Sequence, residues 1–227
     1  MSDIYQRREL GAITSRWDAR AQSWDRNLSD PACHLNEDAG YERFLEQARS
    51  TIGKRAEFCA KNGVIDAGCG TGLVLQDVAD AFAWGIGVDL SPEMLRLAEQ
   101  KHIPRTRFVL GDCFRLPELC PQAGAVLSRG VLLSHYGRPQ AVDLLRAMKT
   151  VLVPGGFVLV DFLNGPARRH YEHIAVDKTY FAEAEISLLA KNAGFGKTKV
   201  LGGCQRRVRL FIASKVDPCF ENVRLAT

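Results

Sequence analysis

No run of apolar residues in this 227-residue chain approaches the roughly 20 that crossing a bilayer requires. No apolar segment follows a basic start in the manner of a secretory leader. The seven cysteines, Cys33, Cys59, Cys69, Cys113, Cys120, Cys204 and Cys219, include no Cys-x-x-Cys pair, so their spacing gives no basis for zinc or thioredoxin-type chemistry. Odd in number and scattered, they suit buried thiols in a reducing compartment. Internal repeats and low-complexity tracts are missing. A strong charge of one sign is missing too: 30 Lys+Arg stand against 26 Asp+Glu, a net +4. Nucleic-acid binding usually shows a clustered basic face, and the local clusters here, Arg168-Arg169-His170 and Arg206-Arg207-x-Arg209, read as solvated loop and strand-edge charge. The expectation is a soluble, cytoplasmic protein, monomeric or homodimeric, with no nucleic-acid or membrane partner. Its length suits one domain with a small appended segment.

What is present is concentrated in Val64-Ile-Asp-Ala-Gly-Cys-Gly-Thr-Gly72. A short apolar run ends in an acid, Asp66, and glycines follow at alternate positions, Gly68, Gly70 and Gly72, before a helical pattern begins. Glycine serves where the backbone takes positive φ or approaches a ligand closely, and the helix start beyond offers unpaired N–H groups. This is a nucleotide-type loop. Two nucleotides are excluded by spacing. The dinucleotide fingerprint Gly-x-Gly-x-x-Gly needs a third glycine where this chain has Leu73 or Leu75. A Walker loop needs Gly-Lys-Ser/Thr, and no lysine occurs between Lys61 and Lys101.

From Gly63 onward strands and helices alternate. The pattern predicts strands at Val64–Ala67, Gly85–Asp89, Arg107–Gly111, Ala123–Ser128, Gly156–Phe162, Lys199–Leu201 and Val208–Ser214. It predicts helices near Thr71–Phe82, Pro92–Lys101, Arg138–Leu152 and Ala182–Asn192. Ser91-Pro92-Glu93 is a helix start with a serine cap and proline at the first position. Such alternation makes an α/β fold, a doubly wound, mostly parallel sheet of seven strands with helices on both faces. The short Gly202–Arg207 connection suits an antiparallel final pair, since parallel neighbours need a long crossover. Residues 1–60 read as an N-terminal helical cap, with a helix from about Tyr41 to Cys59, 61–216 as the core and 217–227 as a tail.

In open parallel sheets a ligand sits beyond the carboxyl ends of the strands. The first strand delivers Asp66, Gly68, Cys69 and Gly70 there. The second delivers Asp89 and Leu90, with Met94 just beyond, and the third delivers Asp112, Cys113 and Phe114. An acid about twenty residues past the glycine loop accepts ribose hydroxyls in nucleotide-binding folds. Asp89 lies 23 positions after Asp66 (89 − 66) and is read this way rather than as a plain helix-entry aspartate. Phe114 suits either an adenine face or the core.

Asp66-Ala-Gly-Cys-Gly-Thr-Gly72, with the ordered acids downstream, resembles the first motif of the class I S-adenosylmethionine-dependent methyltransferases. The resemblance runs from Gly63 to about Lys215, and that family's sheet also ends in an antiparallel strand. It implies S-adenosyl-L-methionine as cofactor and S-adenosyl-L-homocysteine as product. It also implies that Asp66 organises the loop and meets the methionine ammonium. Asp112 and the Cys113 N–H would then meet the adenine, and Arg129 would complete the cofactor set.

After the fourth strand, Ser128-Arg129-Gly130-Val131-Leu132-Leu133-Ser134-His135-Tyr136 is where acceptor groups belong. The Asn/Asp-Pro-Pro-Tyr signature of enzymes that methylate nucleobase or glutamine amines is absent. Serine stands at 128 where catechol-type relatives place a metal-binding aspartate, so no metal is expected. His135, with Tyr136 beside it, is the candidate catalytic group. Histidine titrates near neutrality and suits a general base; the alternative is a local hydrogen bond. Trp17 and Trp24, in a Trp-Asp pair repeated seven residues apart, fall on one helix face, one expected to staple the cap and the other to wall the substrate pocket. The long connection Asn164–Tyr180 adds Arg168, Tyr171, His173 and Tyr180 as candidate acceptor contacts, since long ordered connections are often functional. The expected partner is a small-molecule acceptor, methylated on oxygen or nitrogen. The alternatives are cyclase or aminobutyryl chemistry with the same cofactor, or a non-catalytic regulator on the same fold.

Overall fold

The apolar run after Asn62 forms β1 (Gly63–Ala67), every residue of which is buried. It pairs in parallel with β2 (Trp84–Asp89) on one side and β4 (Ala123–Ser128) on the other. A computed structural model describes residues 2–29, 40–130, 132–168 and 178–215, with side chains omitted at 2–10 and 28–29. The candidates Tyr171 and His173, and the tail at 217–227, lie outside the described residues. β3 (Thr106–Leu110), β5 (Leu152–Leu163), β6 (Thr198–Leu201) and β7 (Val208–Ser214) complete a seven-stranded sheet of order β3-β2-β1-β4-β5-β7-β6. Neighbours are parallel except β7, which runs antiparallel to both β5 and β6. The doubly wound sheet with an antiparallel last strand is therefore the one the residue pattern predicts. Strand order reverses between β1 and β4, which places a ligand crevice at their carboxyl ends.

Alternation along the strands builds two cores. Ile65, Ala67, Val126, Val158 and Val160 face one side, covered by Leu144, Leu145 and Met148 of α7 (Arg138–Thr150) and Ile186 of α8 (Glu183–Asn192). Val64, Ala125, Leu127, Phe157 and Leu159 face the other side, covered by Phe44, Ala48 and Ile52 of α2 (Gly40–Gly53) and Leu75 of α4 (Leu73–Val78). Strands buried on both faces read as continuous apolar runs, as these do. Leu144 is fully buried in the first core, and Leu144→Ala is expected to cost about 2–5 kcal/mol in a urea unfolding titration, through lost transfer energy and the cavity left behind.

Three elements differ from their expected bounds. The helix after the glycine loop begins at Leu73 rather than Thr71, because Gly72 holds φ +78 and cannot be helical; it gives way to a 3₁₀ turn at Ala79–Ala81. The single helix expected over Tyr41–Cys59 is two, α2 and α3 (Ala56–Ala60), parted after Gly53, the poorest helix former in that stretch. β5 begins at Leu152 rather than Gly156: Ala123 pairs with Leu152 and Ala125 with Phe157, so Val153–Gly156 bulge out around Gly155 at φ +76. The remaining helices are α1 (Ser2–Ser29), α5 (Pro92–Glu99) and the short α6 (Leu116–Leu119). The Ser91 hydroxyl caps α5 by accepting from Met94 N at 3.1 Å, with Pro92 at the first position.

Candidate active site

The glycine turn is held open by Asp89. Its Oδ2 accepts from Gly70 N at 2.9 Å and its Oδ1 from Ser91 N at 2.9 Å, tying the β1 turn to the start of α5. Gly70 needs its φ of +52, and a Cβ there would meet Trp24 Nε1 at 3.4 Å. At Gly72 a Cβ would sit 3.1 Å from Phe108 and 3.2 Å from Ala98. The turn is therefore side-chain-free for two reasons, left-handed backbone and close neighbours. Burial raises the Asp89 carboxyl, and the N–H donors of Ser91, Gly70 and Leu90 pull it back down.

Asp66, at the end of β1, is 1% exposed, and neither carboxylate oxygen has a hydrogen-bond partner among the described residues. Both facts act on its titration: burial above all, then the charges of Asp89 and Asp161, push it up to about 8. A buried acceptor with no donor is costly, and this one lines a cavity. Next to it Ser128, the last residue of β4, donates its hydroxyl to Ala67 O at 2.8 Å, so this position serves to join the two strand ends. On the third strand's loop Asp112 accepts from Phe114 N at 3.0 Å through Oδ1. Cys69 and Cys113 are both buried thiols held well above their ordinary range by that burial.

The same cavity is walled on its far side by α1. Trp17 and Trp24 both line it and meet edge-on, ring centroids 5.4 Å apart. The expected division into one staple and one wall does not occur. The stapling falls instead to the aspartates one residue further on. Asp18 accepts from the Ser91 hydroxyl and from Glu93 N at 3.2 Å, at the N-terminus of α5. Asp25 accepts from the Thr71 hydroxyl and from Lys101 Nζ at 2.7 Å, while Lys101 also donates to Thr71 O at 2.7 Å. The heptad spacing thus aligns two rings on the cavity and two carboxylates on the core (positions i and i+7 share a helix face).

His135 stands in the 3₁₀ turn Leu132–His135, 5.7 Å from the Trp17 ring. Lys178 Nζ lies against its imidazole, touching Nδ1 and 3.2 Å from Nε2. Thr179 N donates to Ser134 O at 2.8 Å, which brings the distant Lys178 to this spot. Burial first, then the positive charges of Lys178, Arg16 and Arg20, lower His135 to about 3. The ring is neutral at physiological pH, but an imidazole so placed has little pull on a proton, and the environment works against the base role expected of it. Tyr136 lines the cavity and packs its ring edge-on against Phe114 at 4.9 Å; burial raises its hydroxyl. Arg129 reaches the cavity with its guanidinium over the Tyr41 ring at 5.1 Å. Burial lowers Arg129 and the Asp161 charge works against that shift. Asp161 Oδ2 also accepts from Gly130 N at 3.0 Å.

Asp66, Gly68, Cys69, Gly70, Asp89, Leu90, Met94, Asp112, Cys113, Arg129, His135, Tyr136, Trp17 and Trp24 therefore converge on one cavity. Three described candidates do not line it. Phe114 packs into the core beside Tyr136 instead. Tyr180 is buried with Leu163 and Val208, and the Arg168 guanidinium stacks over its ring at 5.8 Å, an arrangement that turns both side chains to the end of β5. The cavity gains Tyr41, Arg16 and Lys178. Lys178 lies in the long connection singled out by its length, but its role comes from the backbone bond at Thr179. Tyr41 opens α2 in no recognisable motif. Among the described residues no helix is long and apolar enough to cross a membrane.

Residues 64–156 match a family described as a methyltransferase domain. The ubiquinone biosynthesis O-methyltransferase of Chromobacterium violaceum is 27% identical over 176 residues, covering 70% of this chain and 72% of that protein. Its counterpart in Idiomarina loihiensis is 31% identical over 159 residues, covering 69% of this chain; the chain spans 59% of that relative's length. Magnesium protoporphyrin IX methyltransferase from Synechocystis PCC 6803, with bound S-adenosylhomocysteine, superposes with a TM-score of 0.73 at 17% identity, over 91% of this chain and 99% of that one. An amino pentose methyltransferase from Micromonospora echinaspora superposes with a TM-score of 0.60 at 19% identity, over 76% and 92% of the two chains. At these identities the solved structures share the fold.

Proposed function

We propose, from the match of residues 64–156 to a methyltransferase domain and from the O-methyltransferase relatives, that the chain is a class I S-adenosylmethionine-dependent methyltransferase that transfers a methyl group to an oxygen of a small acceptor held between α1 and the Leu132–His135 turn. The observation that carries this reading is the Asp66 carboxylate, buried in the cavity with no partner among the described residues. It suits the ammonium of the cofactor's methionine part. The neighbours fit the rest. The Asp89 oxygens accept from backbone N–H groups, Gly70 N on Oδ2 and Ser91 N on Oδ1, and a carboxylate with about four acceptor sites keeps capacity for a ribose hydroxyl. Asp112 Oδ2 is left for an adenine amine, and Arg129 supplies a cation for the methionine carboxylate. The names of the curated relatives favour oxygen over nitrogen as acceptor.

When bound, S-adenosylmethionine supplies an activated methyl on a sulfonium. The protein's task is then to hold the acceptor in line with the sulfur–methyl bond and to exclude water, and orientation of this kind accounts for much of such an acceleration. Trp17 and Trp24 wall the acceptor side, and Asp18 and Asp25 fasten that wall to the core. His135, neutral and weakly basic, serves as a hydrogen-bond partner that orients the acceptor rather than as the group that takes its proton.

The test is turnover. Incubated with S-adenosylmethionine and a small-molecule fraction from its source cells, the protein is expected to yield S-adenosylhomocysteine and a metabolite heavier by one CH₂ unit, read by mass spectrometry. Release of methylthioadenosine instead would overturn methyl transfer.

A further inference from the structure

The cavity has two electrical ends. The carboxylates lining it stand at the carboxyl ends of β1 and β2, Asp66 and Asp89, and on the loop after β3, Asp112. Opposite them, the charges that act on His135 among the described residues are positive. Lys178 touches the imidazole, Arg16 lines the cavity from α1, and Arg20 lies over the Trp17 ring at 5.4 Å. Beside these cations the wall is aromatic and apolar, with Trp17 5.7 Å from His135, Trp24 edge-on to Trp17, and Leu132 in the same turn as His135. His135, held neutral by burial first and then by these cations, adds no charge of its own. Cations gathered at one wall of a partly desolvated cleft attract and orient an anion. Lys178 is a compact point charge with three donors, and Arg16 is a planar fork; both suit an oxyanion.

We propose, resting on the methyl-transfer reading above, that the acceptor is a flat, apolar molecule bearing an oxygen acid whose anionic oxygen docks between Lys178 and Arg16 beside His135. The rings of Trp17 and Trp24 take its apolar face, and His135 adds a neutral hydrogen bond. An acid group of this chemistry is either a carboxylate or an acidic phenol. Neutral alcohols and amines of the same shape lack the charge that this wall is built to meet.

Calorimetry on the full chain tests this with two matched probe pairs. The carboxylate arm compares 2-naphthoate with 2-naphthamide, and the phenol arm compares 4-nitrophenol with 4-nitroanisole above the phenol's pKa. The protein is first saturated with S-adenosylhomocysteine, so that the donor half of the cavity is filled. The anionic member of at least one pair is expected to bind about tenfold or more tightly than its neutral partner, as a hydrogen bond to a charged group allows. Whichever arm shows the preference identifies the acid. Lys178→Met is expected to bring the ratio to within about threefold, Arg16→Gln to reduce it, and Lys178→Arg to retain most of it, with each variant's fold checked by thermal melting. Equal binding of charged and neutral probes, no binding by either pair, or a preference that survives both Lys178→Met and Arg16→Gln would each overturn the proposal while leaving the donor site standing. Failure of S-adenosylhomocysteine itself to bind would overturn the methyl-transfer reading and this inference with it.

Discussion

Asp89→Ala is expected to weaken S-adenosylhomocysteine binding by about a hundredfold or more, read by isothermal titration calorimetry. Two losses add. The ribose hydroxyls lose a charged acceptor, and hydrogen bonds to charged groups contribute about 1.5–3 kcal/mol each. The Gly70 and Ser91 N–H groups lose the carboxylate that fixes the turn, since both oxygens are engaged at 2.9 Å. Gly70 then has no tie to the second strand's loop, and its left-handed backbone must be ordered by the ligand at the ligand's expense. Asp89→Asn separates the two losses. Its carbonyl oxygen replaces one acceptor, but its NH₂ faces a backbone N–H, so affinity is expected to fall between the wild type and alanine. An unchanged dissociation constant in Asp89→Ala, with melting showing a folded protein, would remove Asp89 from the cofactor site.

Asp89 illustrates what could be read from the chain before any coordinates. The glycine turn, its flanking acid and the acid at the next strand end are local chemistry. Each depends on backbone that neighbouring residues determine, and the sheet order that brings them together follows from alternating strands and helices. The two Trp-Asp pairs were readable as one helix face. Their division of labour was not, because it depends on which side of α1 meets α5. Residues delivered from far along the chain were hidden. Tyr41 reaches the cavity from α2 and stacks with Arg129. Lys178 reaches it because Thr179 N bonds to Ser134 O, a contact with no local pattern. Asp161 was visible as an acid inside the apolar run Val158–Leu163, yet its meaning needs β5 beside β4, where it holds Gly130 N at 3.0 Å. Phe114 and Tyr180 went the other way: aromatic residues at loop ends satisfied a site pattern but met core neighbours first. His135 stood where a base was expected, and its burial first, then cations distant in sequence, alter what it does.

Burial, then the charges of Asp89 and Asp161, brings the titration of Asp66 close to neutral pH, and Asp66→Asn is expected to change stability and binding in opposite directions. In the folded protein without cofactor the carboxyl is raised to about 8, mainly by burial, whereas in the unfolded chain it titrates near its ordinary value of about 3.9. Between those values the folded state holds a proton that the unfolded state has released. The contribution of Asp66 therefore favours folding at low pH, is lost as pH rises from about 4 towards 8, and levels off above that, at no more than about 1.4 kcal/mol per pH unit. Asparagine has no proton to lose. The melting temperature of Asp66→Asn should match the wild type at about pH 4 and below, exceed it increasingly up to pH 7–8 and then keep a constant lead, each kcal/mol being worth roughly 2–4 °C for a chain of this size. Binding runs the other way. The cofactor's ammonium needs the ionised carboxylate, so cofactor binding expels the Asp66 proton and wild-type affinity should rise with pH between about 6 and 8, by at most about tenfold per unit. In Asp66→Asn that rise should vanish and affinity should lie about tenfold or more below wild type at pH 8. Asp89, the other raised carboxylate, is present in both proteins, so the difference between their pH profiles isolates Asp66. A variant that gains no stability at pH 8, or that keeps the wild-type pH dependence of binding, would show that the buried carboxylate is not the group that meets the methionine ammonium.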